Sequence, residues 1–243
     1  MFEPMTPLSL TWLGHATFFI VSPAGKRILV DPWLATNPAC PPSAKKIAAL
    51  DLMLVTHGHD DHMADAISIA RATGARVIAP HELSLWFTQK GLQQVTGMNL
   101  GGTLSALGLT ITMVKAEHSS SVIDEGRPVY AGAASGFVVR FENDLRIYFA
   151  GDTAVFSDMR LIGELYRPSI AVLPIGNTLT MGPEEAAKAC ELLGVRQVIP
   201  MHYGTSPRLT GTPAQLRELV EPRGIEVLEQ RAGEPAVFDA VTV

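Results

Sequence analysis

The sequence predicts an α/β protein in which mixed β-sheets carry helices on their outer faces. Short apolar runs bounded by Gly, Pro, Asn or Asp recur along the chain, as is typical of buried strands. Between many of them lie longer segments whose apolar residues repeat at helical spacing and which end at glycine. At 243 residues, 47% of them hydrophobic, the chain can bury a substantial core. No low-complexity tract or block of like charge interrupts it, which predicts a single domain over residues 1–243.

The N-terminal half is predicted to start with strands and to continue with alternating strands and helices. The apolar runs predict strands at 9–13, 17–22, 27–30, 52–55 and 76–79. Pro23 to Gly25 forms the turn between the second and third of these strands, and a proline-rich loop at 35–42 precedes the fourth. Helical spacing predicts helices at 63–73 and 82–90, which Gly74 and Gly91 end.

The C-terminal half repeats these signals. Strands are predicted at 109–114, 136–141, 145–150, 170–175, 198–201 and 225–228, with a turn at Asn143-Asp144. Helices are predicted at 156–166, 183–193 and 212–221. The second of these helices has Pro183 in its first turn and Gly194 after its end, both of which suit helix termini. Strands and helices in this order favour sheets covered by helices.

Composition excludes several classes of protein. The formal net charge of -5 gives no electrostatic footprint for nucleic acid. The start, Met1 to Pro4, lacks the pattern of a signal peptide, and no apolar run approaches the ~18 residues of a membrane span. A cytoplasmic protein without a membrane partner is expected. Cys40 and Cys190 lie far apart, which disfavours a disulfide framework, and Cys190 is expected to be a small buried helix residue.

The most informative run is Thr56 to His62, which places three imidazoles and carboxylates directly behind an apolar strand. Histidine nitrogens and carboxylate oxygens are the donors that Zn²⁺ and similar ions take. The spacing lets His57 and His59 share one ion while Asp61 and His62 face another. Asp60, at the variable position of the run, is expected to be solvated. The run therefore predicts a metal site rather than a polar surface loop.

Three further donors follow predicted strands, namely His118, Asp152 and His202. Taken singly, they have ordinary explanations as a loop histidine, a helix cap or turn residue, and a hydrogen-bonded strand end. Taken together with the run at 56–62, they place a candidate ligand after each of four apolar strands. If the sheets pack face to face, one common edge gathers these donors into a single site.

These motifs resemble the signature of the metallo-β-lactamase superfamily, which is HxHxDH, a distant His, GD(T) and a late His. The resemblance extends from about Trp12 to Tyr203. Further segments resemble the branch that contains L-ascorbate-6-phosphate lactonase and, more remotely, N-acyl-phosphatidylethanolamine phospholipase D. The segments that carry this closer resemblance are 11–17, 31–32, 118–120, 174–176, 180–183 and 200–205.

The resemblance implies a four-layer αββα sandwich of two mixed sheets, with the site at one edge. It also implies that each of two ions has three ligands, with Asp152 bridging them. The ligands of one ion are His57, His59 and His118, and those of the other are Asp61, His62 and His202. Zn²⁺ is the expected metal, with Mn²⁺ and Fe as alternatives because such sites accept all three.

A dinuclear site of this kind predicts hydrolysis, because metal coordination lowers the pKa of bound water to about 7 and provides a hydroxide nucleophile. The loop at 35–43 and the segment 177–181 are expected to form pocket walls. Neither is rich in cations, so a small lactone, ester or amide is the expected substrate. The alternatives are a phosphodiesterase on the same site, which the missing basic patch disfavours, and a non-catalytic metal-binding regulatory module. The sequence leaves open whether the chain forms a homo-oligomer.

Other residues have weaker functional interpretations. His15 matches the branch motif and is a candidate catalytic residue near the metals, although a structural role fits it equally well. Asp61 is also a candidate proton carrier in catalysis. Asp31 is expected to orient a ligand imidazole, and Tyr203 to pack in the core. Cys40 lies in a loop, where a reactive thiol is one interpretation that no nearby residue supports.

Overall fold

The structure is a computed structural model that describes residues 6–239. Its strands are β1 (Leu8–Trp12), β2 (Phe18–Val21), β3 (Arg27–Val30), β4 (Leu52–Leu54), β5 (Arg76–Pro80), β6 (Val95–Met98), β7 (Thr103–Ala106), β8 (Leu109–Lys115), β9 (Ser121–Asp124), β10 (Arg127–Tyr130), β11 (Ser135–Arg140), β12 (Arg146–Phe149), β13 (Ile170–Pro174), β14 (Gln197–Met201), β15 (Glu226–Val227) and β16 (Pro235–Phe238). Its α-helices are α1 (Asp60–Met63), α2 (Ala66–Thr73), α3 (His81–Gln89), α4 (Met159–Tyr166), α5 (Pro183–Leu193) and α6 (Pro213–Val220). The expectation about a signal peptide concerns Met1 to Pro4 and lies outside the described residues.

Two mixed seven-stranded sheets form the body of the protein. The first has the order β16-β1-β2-β3-β4-β5-β6, and the second has the order β15-β14-β13-β12-β11-β8-β7. In the first sheet, β3 to β6 run parallel, whereas β1 pairs antiparallel with β2 and β16. In the second sheet, β12 to β15 run parallel, and β11 pairs antiparallel with both β12 and β8. Strands β8, β12, β13 and β14 therefore all end at the same edge.

Apolar side chains point alternately to the two faces of each sheet. They form one core between the sheets and one further core on the outer face of each sheet. Leu52 and Leu54 of β4 and Val172 of β13 belong to the same inner core, which draws on both sheets. Met53, the residue between them, belongs to an outer core that α2 and α3 cover. Leu173 belongs to the other outer core, against α4, α5 and α6. This arrangement is the αββα sandwich that the resemblance implied, with the outer helices that the sequence pattern predicted.

One predicted helix begins later than expected. The periodicity over 63–73 predicted a helix from Met63, but α1 ends at Met63 and α2 begins only at Ala66, after Ala64 and Asp65. The backbone N–H of Asp65 donates to Pro32 O at 3.0 Å instead of continuing the helix. Its carboxylate accepts hydrogen bonds from the backbone N–H groups of Leu34 and Ala35, at 2.6 and 2.9 Å. The break therefore anchors the loop after β3 beside the run at 56–62.

The prediction for the helix at 156–166 was wrong at its start, because α4 begins only at Met159. Phe156 and Ser157 instead form a turn, in which their carbonyls accept from the N–H groups of Met159 and Arg160. Phe156 packs partly buried against the core under α4. Its apolar character therefore reflects packing and not helix membership.

Five strands were not predicted from the sequence, namely β6, β7, β9, β10 and β16. Strand β6 contains Gly97, and all four residues of β10 are exposed, so neither has the alternation of a half-buried strand. Strands β9 and β10 pair with each other to form a separate two-stranded hairpin. Strand β16 pairs with β1 from the far end of the chain, a tertiary contact that local pattern does not reveal.

Other sequence expectations agree with the structure. Gly74 and Gly194 cap α2 and α5 in the left-handed conformation. Both cysteines are free and buried, and Cys190 lies fully buried within α5. Within residues 6–239, none of the helices has the length and apolar character needed to cross a bilayer. The single domain over 1–243 stays a prediction.

Candidate metal centre

The predicted donors lie together beyond the ends of β4, β8, β12 and β14. His57 and Asp152 each follow their strand by three residues, and His202 follows β14 directly. His118 likewise follows its strand, β8, by three residues. Because these strands end at a common edge, their loops meet there, and donors that are distant in sequence become neighbours.

Three of the imidazoles form one group, which comprises His57, His59 and His118. Candidate ligand atoms of the three residues all lie within 4.8 Å of one another. The ring centroids of His57 and His59 are 4.6 Å apart, and the centroid of His118 lies 5.2 Å from each. Three convergent nitrogens at this spacing suit one divalent ion.

Asp61, His62 and His202 form a second group beside the first, and Asp152 lies between the two. Asp152 Oδ1 is 3.1 Å from Nε2 of His62, and Oδ2 is 3.1 Å from Nε2 of His202. The same Oδ2 is 3.6 Å from Nε2 of His118, which belongs to the first group. One carboxylate therefore reaches donors of both groups.

The buried atoms of this cluster fit cations better than they fit one another. His62 Nε2, His202 Nε2 and Asp152 Oδ1 are buried, yet none of them makes a hydrogen bond within the described residues. They are near one another but are not aligned for one to donate to the next. Buried polar atoms left in this state are rare and need an explanation. An ion in the space toward which they converge satisfies all of them, so the donor set fits a bound metal.

Asp31 and Thr56 orient one imidazole of each group. The Asp31 carboxylate accepts from the Thr56 N–H, from the Thr56 hydroxyl and from His62 Nδ1, all at 2.8 Å. The Thr56 hydroxyl oxygen is also 3.0 Å from His57 Nδ1, from which it accepts. In both histidines Nδ1 thereby carries a proton, and Nε2 is the nitrogen that would bind a metal.

Burial and charge set the protonation of the cluster. Burial lowers the pKa of His57 well below its usual value and also lowers the pKa of His59 and His118, so that these imidazoles present lone pairs at neutral pH. Burial acts in the same direction on His202, but the carboxylates of Asp152 and Asp61 together outweigh it and raise the pKa to about 9. In the metal-free chain, a proton on His202 thus balances the negative charge of the neighbouring carboxylates. A bound cation would balance this charge in place of the proton.

Two glycines in the motifs are required by close packing. A Cβ on Gly58 would lie 2.7 Å from the Cβ of Ala131, which follows β10. Gly151 has a φ of +62°, and a Cβ there would lie 2.7 Å from the backbone oxygen of Ser135. Glycine between His57 and His59, and glycine before Asp152, therefore let neighbouring backbone approach the donors.

The cluster is open to solvent on one side only. The side chains of Asp61 and His118 are 33% and 15% exposed, and His59 is also partly exposed. His62 and His202 are fully buried. The solvent-exposed side of the centre is therefore formed by Asp61, His59 and His118.

The remaining residues singled out from the sequence divide clearly by position. His15 lies within the cluster, with Nε2 3.1 Å from Asp61 Oδ2. Tyr203 stacks on Trp12 at a centroid distance of 5.1 Å and packs against the core, as expected. Asp60 is exposed, as expected. Cys40 is buried in the outer core over the first sheet, and burial raises the pKa of its thiol.

Sequence reasoning missed three residues around the cluster. Thr56 links Asp31 to His57, as described above. Trp33 packs the edge of its ring against His15 at a centroid distance of 5.0 Å. The Thr205 hydroxyl lies 2.6 Å from Nδ1 of His15. All three stand within or beside the quoted motifs, but hydroxyl and indole groups carry no ligand signal of their own.

Comparison with known proteins agrees with this geometry. The profile of the beta-lactamase superfamily domain matches residues 26–203. A UPF0173 metal-dependent hydrolase of Koribacter versatilis is 48% identical over 227 residues, which cover 93% of this chain and 97% of the relative. Another from Rubrobacter xylanophilus is 50% identical over 219 residues, 90% of each chain.

A solved structure is similar over nearly its whole length. Igni18, a metallo hydrolase from the archaeon Ignicoccus hospitalis, superposes with a TM-score of 0.85 at 37% identity. The match covers 96% of this chain and 99% of Igni18. The chain therefore belongs to the metallo-β-lactamase superfamily, and within it to the UPF0173 metal-dependent hydrolases.

Proposed function

We propose that this metal-dependent hydrolase works with two divalent ions and cleaves a small lactone, ester or amide. The observation that supports two ions is the place of Asp152, whose carboxylate lies within 3.6 Å of donors from both groups. His57, His59 and His118 would hold one ion, and Asp61, His62 and His202 the other, with Asp152 between them. Zn²⁺ is the favoured metal for this donor set, with Mn²⁺ and Fe as alternatives.

When bound, such ions lower the pKa of a coordinated water to about 7 and polarise the substrate oxygen as Lewis acids. The side chains of this chain supply the rest. Asp31 and Thr56 hold the imidazoles of His62 and His57 through Nδ1, so that Nε2 is the nitrogen that would bind an ion. The burial of His62, His202 and Asp152 keeps bulk water from the inner side, where each electrostatic contact is consequently stronger.

A small neutral or singly charged substrate suits the walls expected beside the open side. The loop at 35–43 and the segment 177–181 contain no Lys or Arg, the residues that recognise phosphates most strongly. This composition supports a carbonyl substrate of the lactonase kind over a phosphodiester. A cytoplasmic location and the absence of nucleic acid and membrane partners stay predictions.

The experiment combines metal analysis with a substrate panel. Protein purified without chelator is assayed for bound metal by elemental analysis and for turnover of lactones, esters, amides and phosphodiesters. We expect about two ions per chain, with turnover of a carbonyl substrate that a chelator abolishes and Zn²⁺ or Mn²⁺ restores. Turnover that a chelator leaves unchanged would refute the metal mechanism. Turnover of phosphodiesters alone would replace the proposed substrate class, and metal binding without turnover on the whole panel would favour a regulatory module.

A further inference from the structure

A ring nitrogen of His15 lies among the candidate metal ligands, but both of its ring nitrogens already have hydrogen-bond partners. Ligand atoms of His15, Asp61, His62 and His202 lie within 4.8 Å of one another, so distance alone would allow His15 to be a ligand. However, its Nε2 lies 3.1 Å from Asp61 Oδ2 and its Nδ1 lies 2.6 Å from Thr205 Oγ1. These two hydrogen bonds use the whole polar capacity of a neutral imidazole.

The backbone around His15 is fixed independently of these two bonds. The His15 carbonyl accepts from the backbone N–H of His202 at 3.0 Å and from the indole N–H of Trp12 at 2.9 Å. The ring lies against His202, with a centroid distance of 3.8 Å, and Trp33 packs its edge against the ring. The location of the ring is thus set by its neighbours, whereas the position of its proton is not.

The direction of the two hydrogen bonds follows from the chemistry of the partners. An ionised carboxylate only accepts, so the bond to Asp61 requires a proton on Nε2 of His15. A neutral imidazole has one N–H, so Nδ1 must then accept, and only a donor can occupy the place opposite it. The Thr205 hydroxyl is such a donor. Gly204, with a φ of +71°, makes the turn that separates Thr205 from His202.

We propose that Thr205 is a positioning residue, whose hydroxyl fixes the Nε2–H tautomer of His15 and thereby orients Asp61 toward the second ion. His15 then acts as the hydrogen-bond donor to Asp61 and is not itself a ligand. With Oδ2 of Asp61 engaged by His15, the carboxylate is held in one orientation, as outer partners of ligating carboxylates commonly do. This inference rests on the proposed metal function for Asp61 and adds a residue that no ligand motif contains.

The first test reads the tautomer of His15 in metal-free protein. ¹⁵N NMR distinguishes a protonated from an unprotonated ring nitrogen, and the signals of His15 are assigned by their loss in His15→Gln. We expect the Nε2–H tautomer in the natural protein and in Thr205→Ser, which keeps the hydroxyl. Thr205→Val, which keeps the shape, should give a mixture of tautomers. Thr210→Val is the matched control, because its exposed hydroxyl accepts from Asn177 and should leave His15 unchanged. An unchanged His15 spectrum in Thr205→Val would overturn the inference.

The second test measures the metal directly. Zn²⁺ affinities are measured by competition with a chromophoric chelator. Thr205→Val should bind the more weakly held of the two Zn²⁺ ions about 10-fold less tightly than the natural protein, and Thr205→Ser should bind it with the natural affinity. Equal affinity in all three proteins would overturn the proposed orientation of Asp61. In protein loaded with ¹¹³Cd²⁺, a scalar coupling between the ion and a His15 nitrogen would show that His15 is a ligand and would also overturn it. Failure of the proposed function is distinguishable, because natural protein would then bind no metal while the tautomer test would still give an answer.

Discussion

Asp31 offers a specific test of the candidate metal centre, because one buried carboxylate orients an imidazole in each of the two groups of candidate ligands. It accepts directly from His62 Nδ1 and acts on His57 through the Thr56 hydroxyl. The substitution Asp31→Asn keeps the size of the side chain and replaces one oxygen by an amide nitrogen. Asparagine also tolerates the left-handed backbone of this position, where φ is 47°. The change is therefore chemical and not steric.

The expected loss follows from the hydrogen bonds. If the amide oxygen keeps the bond from the Thr56 N–H, the amide nitrogen takes the place of Oδ2 and faces two donors. His62 must then accept at Nδ1 and carry its proton on Nε2, the atom that would bind the ion. The Thr56 hydroxyl, which then accepts from the new amide N–H, donates to Nδ1 of His57. His57 therefore also carries its proton on Nε2. Loss of one such outer partner lowers metal affinity about 10- to 100-fold. Because two ligands are affected, we expect the upper end, about 2.8 kcal/mol.

The assay is a Zn²⁺ competition titration of the natural protein, Asp31→Asn and a control, with far-UV circular dichroism to show that each is folded. The control is Asp60→Asn, the same chemical change at an exposed carboxylate next to Asp61. It should change affinity by no more than about twofold, as surface substitutions do. Equal affinities for Asp31→Asn and Asp60→Asn would refute the assigned orientation of His57 and His62.

Four further outcomes are expected. Asp152→Ala and His57→Ala should each abolish turnover and lower the bound-metal count, and undiminished hydrolysis by either would remove the metal mechanism. Cys40→Ser should leave turnover unchanged, since the buried thiol lies in the outer core, and a loss of activity would reopen the thiol interpretation. Gly58→Ala should lower the free energy of unfolding by about 1–3 kcal/mol because of the contact with Ala131, and an unchanged denaturation midpoint would contradict this. Removal of metal by a chelator should lower the melting temperature, while the far-UV circular dichroism spectrum stays that of the folded protein because the ions are not part of the cores. Loss of the helix and strand signal in that spectrum would contradict this.

The fold and the donor set could be predicted because both depend on strong local patterns. Strands such as β4 and β13 are continuous apolar runs, and α5 carries a proline at its start and is followed by a glycine. Histidines and aspartates that directly follow such strands must lie at a sheet edge. For this reason the run at 56–62 could be interpreted as a metal site without knowledge of its tertiary neighbours.

What the sequence did not reveal depends on contacts between distant segments. Asp65 breaks a periodic helix because Leu34 and Ala35, on another loop, donate to its carboxylate. Strand β10 is exposed throughout and is held by pairing with β9. Thr205 contacts His15 across 190 positions of sequence, and a hydroxyl has no spacing rule that would point to its partner. Tertiary contacts of this kind override local propensity.

The backbone around the group of Asp61, His62 and His202 shows how the fold holds these residues. His15, Asp31 and His202 all lie in the left-handed region, with φ values of 56°, 47° and 56°. Such conformations cost about 1–3 kcal/mol each and persist only where the surroundings enforce them. Here the N–H of Asp31 donates to Leu54 O at 2.9 Å and that of His202 donates to His15 O at 3.0 Å. Each of these residues follows a strand whose side chains pack in a core. This packing offsets the backbone strain in the metal-free chain. The donors are therefore preorganised by the sandwich, and the ion need not order the loops that bind it.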